Sequence, residues 1–293
     1  MLPNRQAHAA YYYIQRRWGR LQRVDPLPYF GQALNLIAHT PVAHRLEGRV
    51  VFEVGTGRTV NVPLAFWLAG AERIITVDLN SYLRPELVME SIQAARSQER
   101  EIIALFEKYH VPLRVDRLRS LLACTTMPEV LALARIDYRA PADATRTGLL
   151  GSSIDLHISV NVLEHIPPPV LAAIFTEAHR ILGPNGVLLH HVDPSDHFAQ
   201  TDPTLHAAHF LRYSPVEWKR ISGNDFMYQN RLRAPEYLRC AQAAGFEVER
   251  TQVERDSGAL AAIKVGFPVH ADFAHMAPED LAATTLIFSA RPR

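Results

Sequence analysis

Short runs of apolar residues alternate along much of the chain with stretches in which apolar residues recur at helical spacing. The runs Val50–Val54 and Arg73–Val77 flank a glycine turn and a helical stretch over residues 61–69. Further strand character lies in residues 135–144 and 154–163, and in the later segments "GPNGVLLHHVD", "FEVERTQV" and "TTLIFSARPR". Because strands that alternate with helices pair in parallel, the pattern predicts an α/β, doubly wound, mostly parallel sheet with helices on both faces.

Two helical regions lie outside this alternation. Residues 1–45 predict a cap of two short helices, followed by a main domain over residues 46–293. After the second strand, "ELVMESIQAARSQEREIIALFEKYH" predicts one long helix, and "RVDRLRSLLA" and "MPEVLALA" predict two more. This stretch of about fifty residues exceeds an ordinary crossover connection. Residues 81–134 are therefore interpreted as a helical insertion that serves as a lid or an oligomerisation element.

Composition limits the classes of partner. The chain has 293 residues, 48% of them hydrophobic, and a net charge of +1, so no overall field would recruit nucleic acid or an anionic membrane. Two cysteines are too few for a disulfide framework, no charged-then-apolar leader opens the chain, and no run of eighteen apolar residues occurs. We therefore expect a cytoplasmic protein that does not span a membrane.

Aromatic residues and arginines interleave near the N-terminus, in "AYYYIQRRWGRLQRV". The combination suits base stacking and phosphate contacts with a nucleic acid. An amphipathic cap over a pocket or a dimer surface explains the same residues without any ligand, and it is the favoured interpretation.

Six motifs follow one another in an order typical of a known family. They are "FEVGTG" at the first strand, "VDLN" ending the second, "ADA" after the third, "DLHISVNVLEHI" around the fourth, "LGPNGVLL" leading into the fifth and "AGFEV" before the sixth. Over residues 48–291 the chain thereby resembles the class I S-adenosylmethionine-dependent methyltransferases, in particular the small-molecule branch with "LEH" after strand four. The resemblance implies a Rossmann-like fold with a seven-stranded sheet, S-adenosyl-L-methionine as cofactor and S-adenosyl-L-homocysteine as product.

The resemblance also implies cofactor-binding residues at the strand ends. Glu53 would accept from the ammonium of the methionine moiety, Asp78 from both ribose hydroxyls, and Asp143 from the adenine amine, beside the N–H of Ala144. The glycines of the turn allow the backbone to approach the cofactor closely. The full predicted set is Glu53, Gly55, Thr56, Gly57, Asp78, Leu79, Asp143, Ala144 and Asn161.

Nicotinamide-dependent dehydrogenases share the strand, turn and helix and are the competing class. Their fingerprint has a third glycine where this chain has Val60, and an apolar residue where it has Glu53. Both positions disagree with a dehydrogenase.

Methyl transfer to a hydroxyl needs a general base near the sulfonium, and histidine titrates in the useful range. The candidate catalytic residues are His165 in "LEH", and His191 and Asp193, which share a face at the end of strand five in "LHHVDPSDHF". Successive strand residues face opposite sides, so His190 and His191 should not converge on one ion. For each candidate, a role in packing or in pinning the loop stays open.

In some relatives an acidic residue three positions before "EH" joins that pair in holding a divalent metal. This chain has the neutral Asn161 there, so no metal site is predicted.

Residues 194–233 form a predicted acceptor-side insertion, in which Asp196 and His197 shape the entrance. Its amide, guanidinium and aromatic groups suit a saccharide or a glycosylated metabolite, or they pack on the sheet as a covering loop. These groups belong to Arg212, Tyr213, Trp218, Tyr228, Gln229, Asn230, Arg231 and Arg233. The sequence predicts an O-methyltransferase that acts on a small polar acceptor. A homodimer of the protein is a further expectation. The alternatives are a cofactor-binding protein without turnover and a nucleic-acid methyltransferase.

Overall fold

A seven-stranded sheet organises the part of the chain that the computed structural model describes, residues 4–19, 21–40, 46–223 and 228–293. The strands are β1 (Val50–Val54), β2 (Arg73–Val77), β3 (Ile136–Arg139), β4 (Ile154–Val160), β5 (Leu182–Val192), β6 (Phe246–Arg255) and β7 (Ala283–Pro292). Their order across the sheet is β3-β2-β1-β4-β5-β7-β6, and β7 runs antiparallel to both of its neighbours while the other pairings are parallel. The predicted fold class is confirmed.

The register brings the carboxyl ends of neighbouring strands to one edge of the sheet. Val54 at the end of β1 pairs with Val77 at the end of β2, and Glu53 pairs with Ile158 of β4. The chain moves to one side of β1 to form β2 and β3, and to the other side to form β4 and β5. Open α/β sheets bind ligands in the crevice at such a switch point.

Helices cover both faces of the sheet. They are α1 (Asn4–Trp18), α2 (Leu27–Ala38), α3 (Asn61–Leu68), α4 (Pro85–Ser97), α5 (Glu99–Lys108), α6 (Val115–Ala123), α7 (Met127–Leu133), α8 (Pro168–Ile181), α9 (Pro215–Ser222), α10 (Ala234–Ala243), α11 (Ser257–Lys264) and α12 (Pro278–Leu281). Within the predicted cap, residues 1–3, 20 and 41–45 lie outside the described residues, and the boundary after residue 45 stays a prediction. No helix in the described ranges combines the length and apolar character needed to cross a membrane.

The prediction of one long helix after β2 was wrong. The stretch forms α4 and α5, and Gln98 between them has a non-helical φ of −114° and ψ of 23°. In a continuous helix Ile92 and Ile102 would point roughly 80° apart around the axis. The break lets both side chains enter the core, where Ile92 is 1% exposed and Ile102 is fully buried.

The helical insertion belongs to the core on one face of the sheet. Buried side chains of the insertion, among them Phe106 and Leu121, join Leu34 of α2, Phe66 of α3 and Val51 of β1 in one apolar cluster. This continuous packing favours a structural role for the insertion over the mobile lid that the sequence left open. On the opposite face, α8 and α10 form a second apolar cluster with the sheet.

Helix α1 lies against α4. The Tyr12 hydroxyl donates to Glu86 at 2.7 Å, and the Arg16 guanidinium donates twice to the Glu90 carboxylate, at 2.8 and 2.6 Å. The Tyr12 ring also faces the guanidinium of Arg58, 5.3 Å from the ring centre. Tyr12 and Arg16 of the cap are therefore engaged within the chain, whereas Tyr13 and Trp18 are exposed.

Candidate functional site

Backbone hydrogen bonds tie the ends of β1, β2 and β3 together. The Gly55 N–H donates to the carbonyl of Val77 at 2.8 Å, and the Asp78 N–H donates to the carbonyl of Arg139 at 3.1 Å. The Ala142 N–H returns to the carbonyl of Asp78 at 2.9 Å. The end of β1, which carries Glu53, and the loops that carry Asp78 and Asp143 are thus held side by side at one edge of the sheet.

The glycine turn after β1 requires its glycines for two different reasons. Gly55 has a φ of +87°, and a Cβ there would overlap the Val162 side chain, only 2.8 Å from its Cγ1 atom. Gly57 has a φ of +67° but open space around it, and its N–H donates to the Asp78 carboxylate at 3.0 Å. The first glycine permits close approach of the segment that follows β4, and the second sets the direction of the turn.

Glu53 ends a buried chain of hydrogen bonds. Its carboxylate accepts from the Thr76 hydroxyl, which lies 2.6 Å from the Thr56 hydroxyl. Because Thr76 donates its one proton to Glu53, Thr56 donates to Thr76. The Glu53 side chain is 2% exposed, and burial raises its pKa to about 8. A buried carboxyl in this state is well suited to receive a cationic group.

Asp78 shapes the turn with both carboxylate oxygens. Besides the Gly57 contact, its second oxygen accepts from the Asn80 N–H at 3.0 Å. Burial raises the pKa of Asp78 above its usual value, against the effect of these donors. Each oxygen keeps a lone pair that a ligand hydroxyl can use.

The remaining predicted cofactor residues differ in exposure. Leu79 is 68% exposed beside Asp78, whereas Ala144 is buried. Asp143 is exposed and accepts from the Thr145 N–H at 2.8 Å, and this bond holds the pKa of Asp143 below its usual value. Asn161 lies in the segment after β4, apart from the ends of β1, β2 and β3, and it has a left-handed φ of +54°. Its side chain contacts a residue of β5.

That residue is His191, at the end of β5. The Oδ1 atom of Asn161 lies 2.7 Å from Nδ1 of His191, and the Asn161 N–H donates to the His191 carbonyl at 2.9 Å. Burial lowers the pKa of His191, so the ring is neutral near pH 7. A neutral ring that donates from Nδ1 keeps Nε2 as an acceptor, which is the arrangement that a general base needs.

His190 faces the other side of the sheet, as strand alternation predicted. It is fully buried, and its Nδ1 lies 2.7 Å from the Ser159 hydroxyl.

Asp193 is engaged with its own loop. One carboxylate oxygen accepts from the N–H of Ser195 at 3.0 Å and also from the Ser195 hydroxyl. The other accepts from the Gln200 amide at 3.1 Å and lies 3.5 Å from Nε2 of His197. Burial raises the pKa of Asp193, but the contacts with His197 and Ser195 outweigh it, and the pKa lies below its usual value. These contacts favour pinning of the loop over action as a base.

His165 lies in a one-turn 3-10 helix, Leu163–His165, after β4. Its Nδ1 lies 2.9 Å from the carbonyl of Tyr228, so the neutral ring donates there and keeps Nε2 as an acceptor. Its ring centre is 5.1 Å from that of His197.

Glu164 and His197 form a group with His165 that the sequence did not assign. Each of the three offers a ligand atom, and these atoms lie within 4.8 Å of one another. Glu164 is fully buried, and neither carboxylate oxygen has a hydrogen-bond partner in the described parts of the chain. Burial raises the pKa of Glu164 well above its usual value. The prediction of no metal site rested on Asn161 and did not consider His197.

Much of the predicted acceptor-binding set instead donates to backbone carbonyls of the chain itself. Arg233 is fully buried and donates to the carbonyls of Pro194 and Leu281, while Arg231 donates to those of Phe210 and Tyr213. The remaining internal donors are Trp218, Gln229 and Asn230, which also bond to backbone carbonyls. For these five residues the contacts favour the covering-loop alternative over acceptor binding, because their donors already pair with backbone carbonyls.

Part of the chain is similar to a known protein family. A family model described as a methyltransferase domain matches residues 104–190, less than a third of the chain. The match includes β3, β4 and most of β5 and begins after the glycine turn. No curated protein sequence matches the chain.

Solved structures resemble the chain over most of its length. A geranyl diphosphate methyltransferase in complex with SAM is 11% identical, covers 90% of this chain and 85% of its own, and has a TM-score of 0.50. A geranyl diphosphate C-methyltransferase from Streptomyces coelicolor A3(2) is 13% identical, with coverages of 89% and 78% and a TM-score of 0.49. The [4+2]-cyclase SpnF is 15% identical, with coverages of 89% and 81% and a TM-score of 0.48. At these identities the likeness concerns the fold.

Proposed function

We propose that this chain, which its fold and its matched domain identify as a class I S-adenosylmethionine-dependent methyltransferase, methylates a hydroxyl of a small polar acceptor. S-adenosyl-L-methionine is the methyl donor. A sugar or another polyhydroxylated natural product is the proposed class of acceptor. A cytoplasmic location and a homodimer stay predictions.

The buried Glu53 carboxyl carries the cofactor assignment. A carboxyl whose pKa is raised to about 8 by burial gains from a cation that restores its charge. The ammonium of the methionine moiety is such a cation. Beside it, the Asp78 carboxylate, whose two oxygens each keep a lone pair after their contacts with the Gly57 and Asn80 N–H groups, suits the hydroxyls of an adenosyl group.

His191 is the proposed general base. When bound, the cofactor supplies an activated methyl carbon, whose bond to sulfur breaks as the bond to the acceptor oxygen forms. The Nε2 atom of His191 accepts the hydroxyl proton as that oxygen attacks. Asn161 holds the ring in the tautomer required, through the 2.7 Å contact with Nδ1. The arrangement catalyses chiefly by holding the acceptor oxygen close to the methyl carbon.

The nucleic-acid alternative has less support. Tyr12 and Arg16, which the sequence offered for stacking and phosphate contacts, are engaged by Glu86 and Glu90 of α4. We therefore keep a small molecule as the proposed acceptor.

Isothermal titration with S-adenosyl-L-methionine, S-adenosyl-L-homocysteine and NAD tests the cofactor. We expect the first two to bind and NAD not to bind. Turnover on a panel of hydroxyl acceptors, followed by mass spectrometry of the methylated product, then tests the reaction. Binding without turnover on any acceptor would leave a cofactor-binding protein, and binding of NAD alone would overturn the proposal.

A further inference from the structure

We propose that Glu53 releases a proton when the cofactor binds, and that Thr76 is a positioning residue which, with Thr56, conducts this proton to the glycine turn and then stabilises the carboxylate. The inference rests on the proposed function, because the ammonium of S-adenosyl-L-methionine is the group that makes the release necessary. It adds Thr76, which the sequence did not assign, to the cofactor site.

Glu53 lies in an apolar environment that is almost closed to water. Its side chain is 2% exposed, and it shares a face of β1 with Val51. On that face Val51 joins Leu34 of α2 and Phe66 of α3 in one apolar cluster. Neither helix contains an acidic or basic residue. A carboxylate without a cation is unfavourable in such surroundings, so Glu53 is protonated at neutral pH, and burial raises its pKa to about 8.

Asp78 is a charged neighbour of Glu53, and its negative charge raises the pKa of Glu53 further. The titratable groups of the two adjacent strands lie elsewhere. Arg73 of β2 and Asp155 of β4 are at the opposite strand ends, and His157 stacks against an aromatic ring on the other face of the sheet. The cation that favours ionisation of Glu53 is therefore one that a ligand brings.

Two threonine hydroxyls connect Glu53 to the glycine turn. The Thr76 hydroxyl contacts the Glu53 carboxyl, and the Thr56 hydroxyl lies 2.6 Å from that of Thr76. Thr76 is fully buried on β2, whereas Thr56 is 7% exposed in the turn. The oxygens of the three side chains thus form a continuous path from the buried carboxyl toward the crevice at the strand ends.

This path can carry a proton because each hydroxyl both donates and accepts. When Glu53 is neutral, it donates to Thr76, Thr76 donates to Thr56, and Thr56 donates to water. As the ammonium arrives, the O–H bond of the carboxyl breaks, each hydroxyl accepts one proton and gives up its own, and water at the turn takes the last. Both hydroxyls then donate toward the new carboxylate, which is the direction described above.

Affinity for the cofactor should consequently increase with pH. The ammonium and the ionised carboxyl form an ion pair in the complex, but below about pH 8 Glu53 must first lose its proton. Because α-amino groups titrate at about 7.7–8.0, the ligand stays cationic between pH 6 and pH 7. Over that interval we expect the affinity to rise about tenfold, as the linkage of one proton requires.

Calorimetric titration of the full chain with S-adenosyl-L-homocysteine at pH 6.5, in buffers of different ionisation enthalpy, counts the protons released. We expect about one proton per ligand bound by the wild type, and none from Glu53→Gln. 5′-Methylthioadenosine keeps the nucleoside and the sulfur but lacks the ammonium, and it should bind without proton release. Since both ligands have the ribose hydroxyls, a proton from Asp78 would appear with both of them.

Variants of Thr76 separate its hydroxyl from the shape of its side chain. Thr76→Val keeps the volume but removes the donor to the carboxylate, so ionisation needs a higher pH, and affinity at pH 6.5 should fall at least tenfold. Thr76→Ser keeps the hydroxyl and should restore the wild-type affinity and pH profile. Thr251→Val, at an exposed position on β6, is the matched control and should bind like the wild type.

Binding of S-adenosyl-L-homocysteine without proton release, or equal release by Glu53→Gln, would overturn the inference and leave the proposed function intact. A wild-type affinity and pH profile for Thr76→Val would overturn the role of Thr76. If the folded wild type does not bind S-adenosyl-L-homocysteine at any pH, the proposed function is refuted and the inference with it.

Discussion

Replacing Glu53 by glutamine should change how the stability of the ligand-free protein depends on pH. Glu53 is buried, and its pKa rises from 4.5 to about 8 in the folded chain. The folded state therefore holds a proton that the unfolded state releases. As pH rises from about 4.5 to about 8, the wild type loses stability that the glutamine variant keeps.

The expected size follows from the same values. A rise in pKa from 4.5 to about 8 corresponds to about 5 kcal/mol, at about 1.4 kcal/mol for each pH unit. Between pH 4 and pH 9, the unfolding free energy of the wild type should therefore fall by about 5 kcal/mol relative to that of Glu53→Gln. Above pH 8 the difference should become constant.

Urea denaturation of both proteins at intervals across this range measures the effect. Glu247→Gln, at an exposed position on β6, is the matched control and should follow the wild type at every pH. If the unfolding free energies of wild type and Glu53→Gln depend on pH in the same way, the claim that Glu53 is buried and neutral in the ligand-free protein is refuted.

Three further predictions concern the site. Asp78→Ala should weaken S-adenosyl-L-methionine binding at least tenfold, about 1.4 kcal/mol, in isothermal titration; an unchanged dissociation constant removes Asp78 from the site. His191→Ala should slow turnover while cofactor affinity stays within twofold, and wild-type rates would place the base elsewhere. Gly55→Ala should destabilise the fold by about 1–3 kcal/mol in thermal denaturation, because its Cβ meets Val162. Val162→Ala should recover part of that loss, and no recovery would argue against this contact.

The mostly parallel sheet and the positions of its strands along the chain were accessible from the sequence because buried strands require apolar runs. Gly55 and Asp78 could be assigned to the site for the same reason, since parallel strands of one sheet end at a common edge. The end of β3 was predicted five residues too late. Its pairing stops at Arg139, just before Pro141, which has no N–H for the ladder.

Other features depend on contacts that local patterns do not encode. Gln98 separates two stretches that are each good helices, so the break follows from where Ile92 and Ile102 must be buried. Arg233 reads as a surface cation, but it is fully buried and satisfies the carbonyl of Pro194, distant in sequence.

The group formed by Glu164, His165 and His197 needed the fold as well. "LEH" marks two of its members in the sequence, but the third lies more than thirty residues later, in a loop without regular periodicity. Only the adjacency of β4 and β5 in the sheet brings the loops after these strands together.

A crystal structure of the full chain grown with S-adenosyl-L-homocysteine tests the account most directly. We predict electron density across the ends of β1, β2 and β3, with the amino group of the ligand beside Glu53 and its ribose hydroxyls at Asp78. Density for the ligand at any other place, or these strand ends left empty at a saturating concentration, would contradict it.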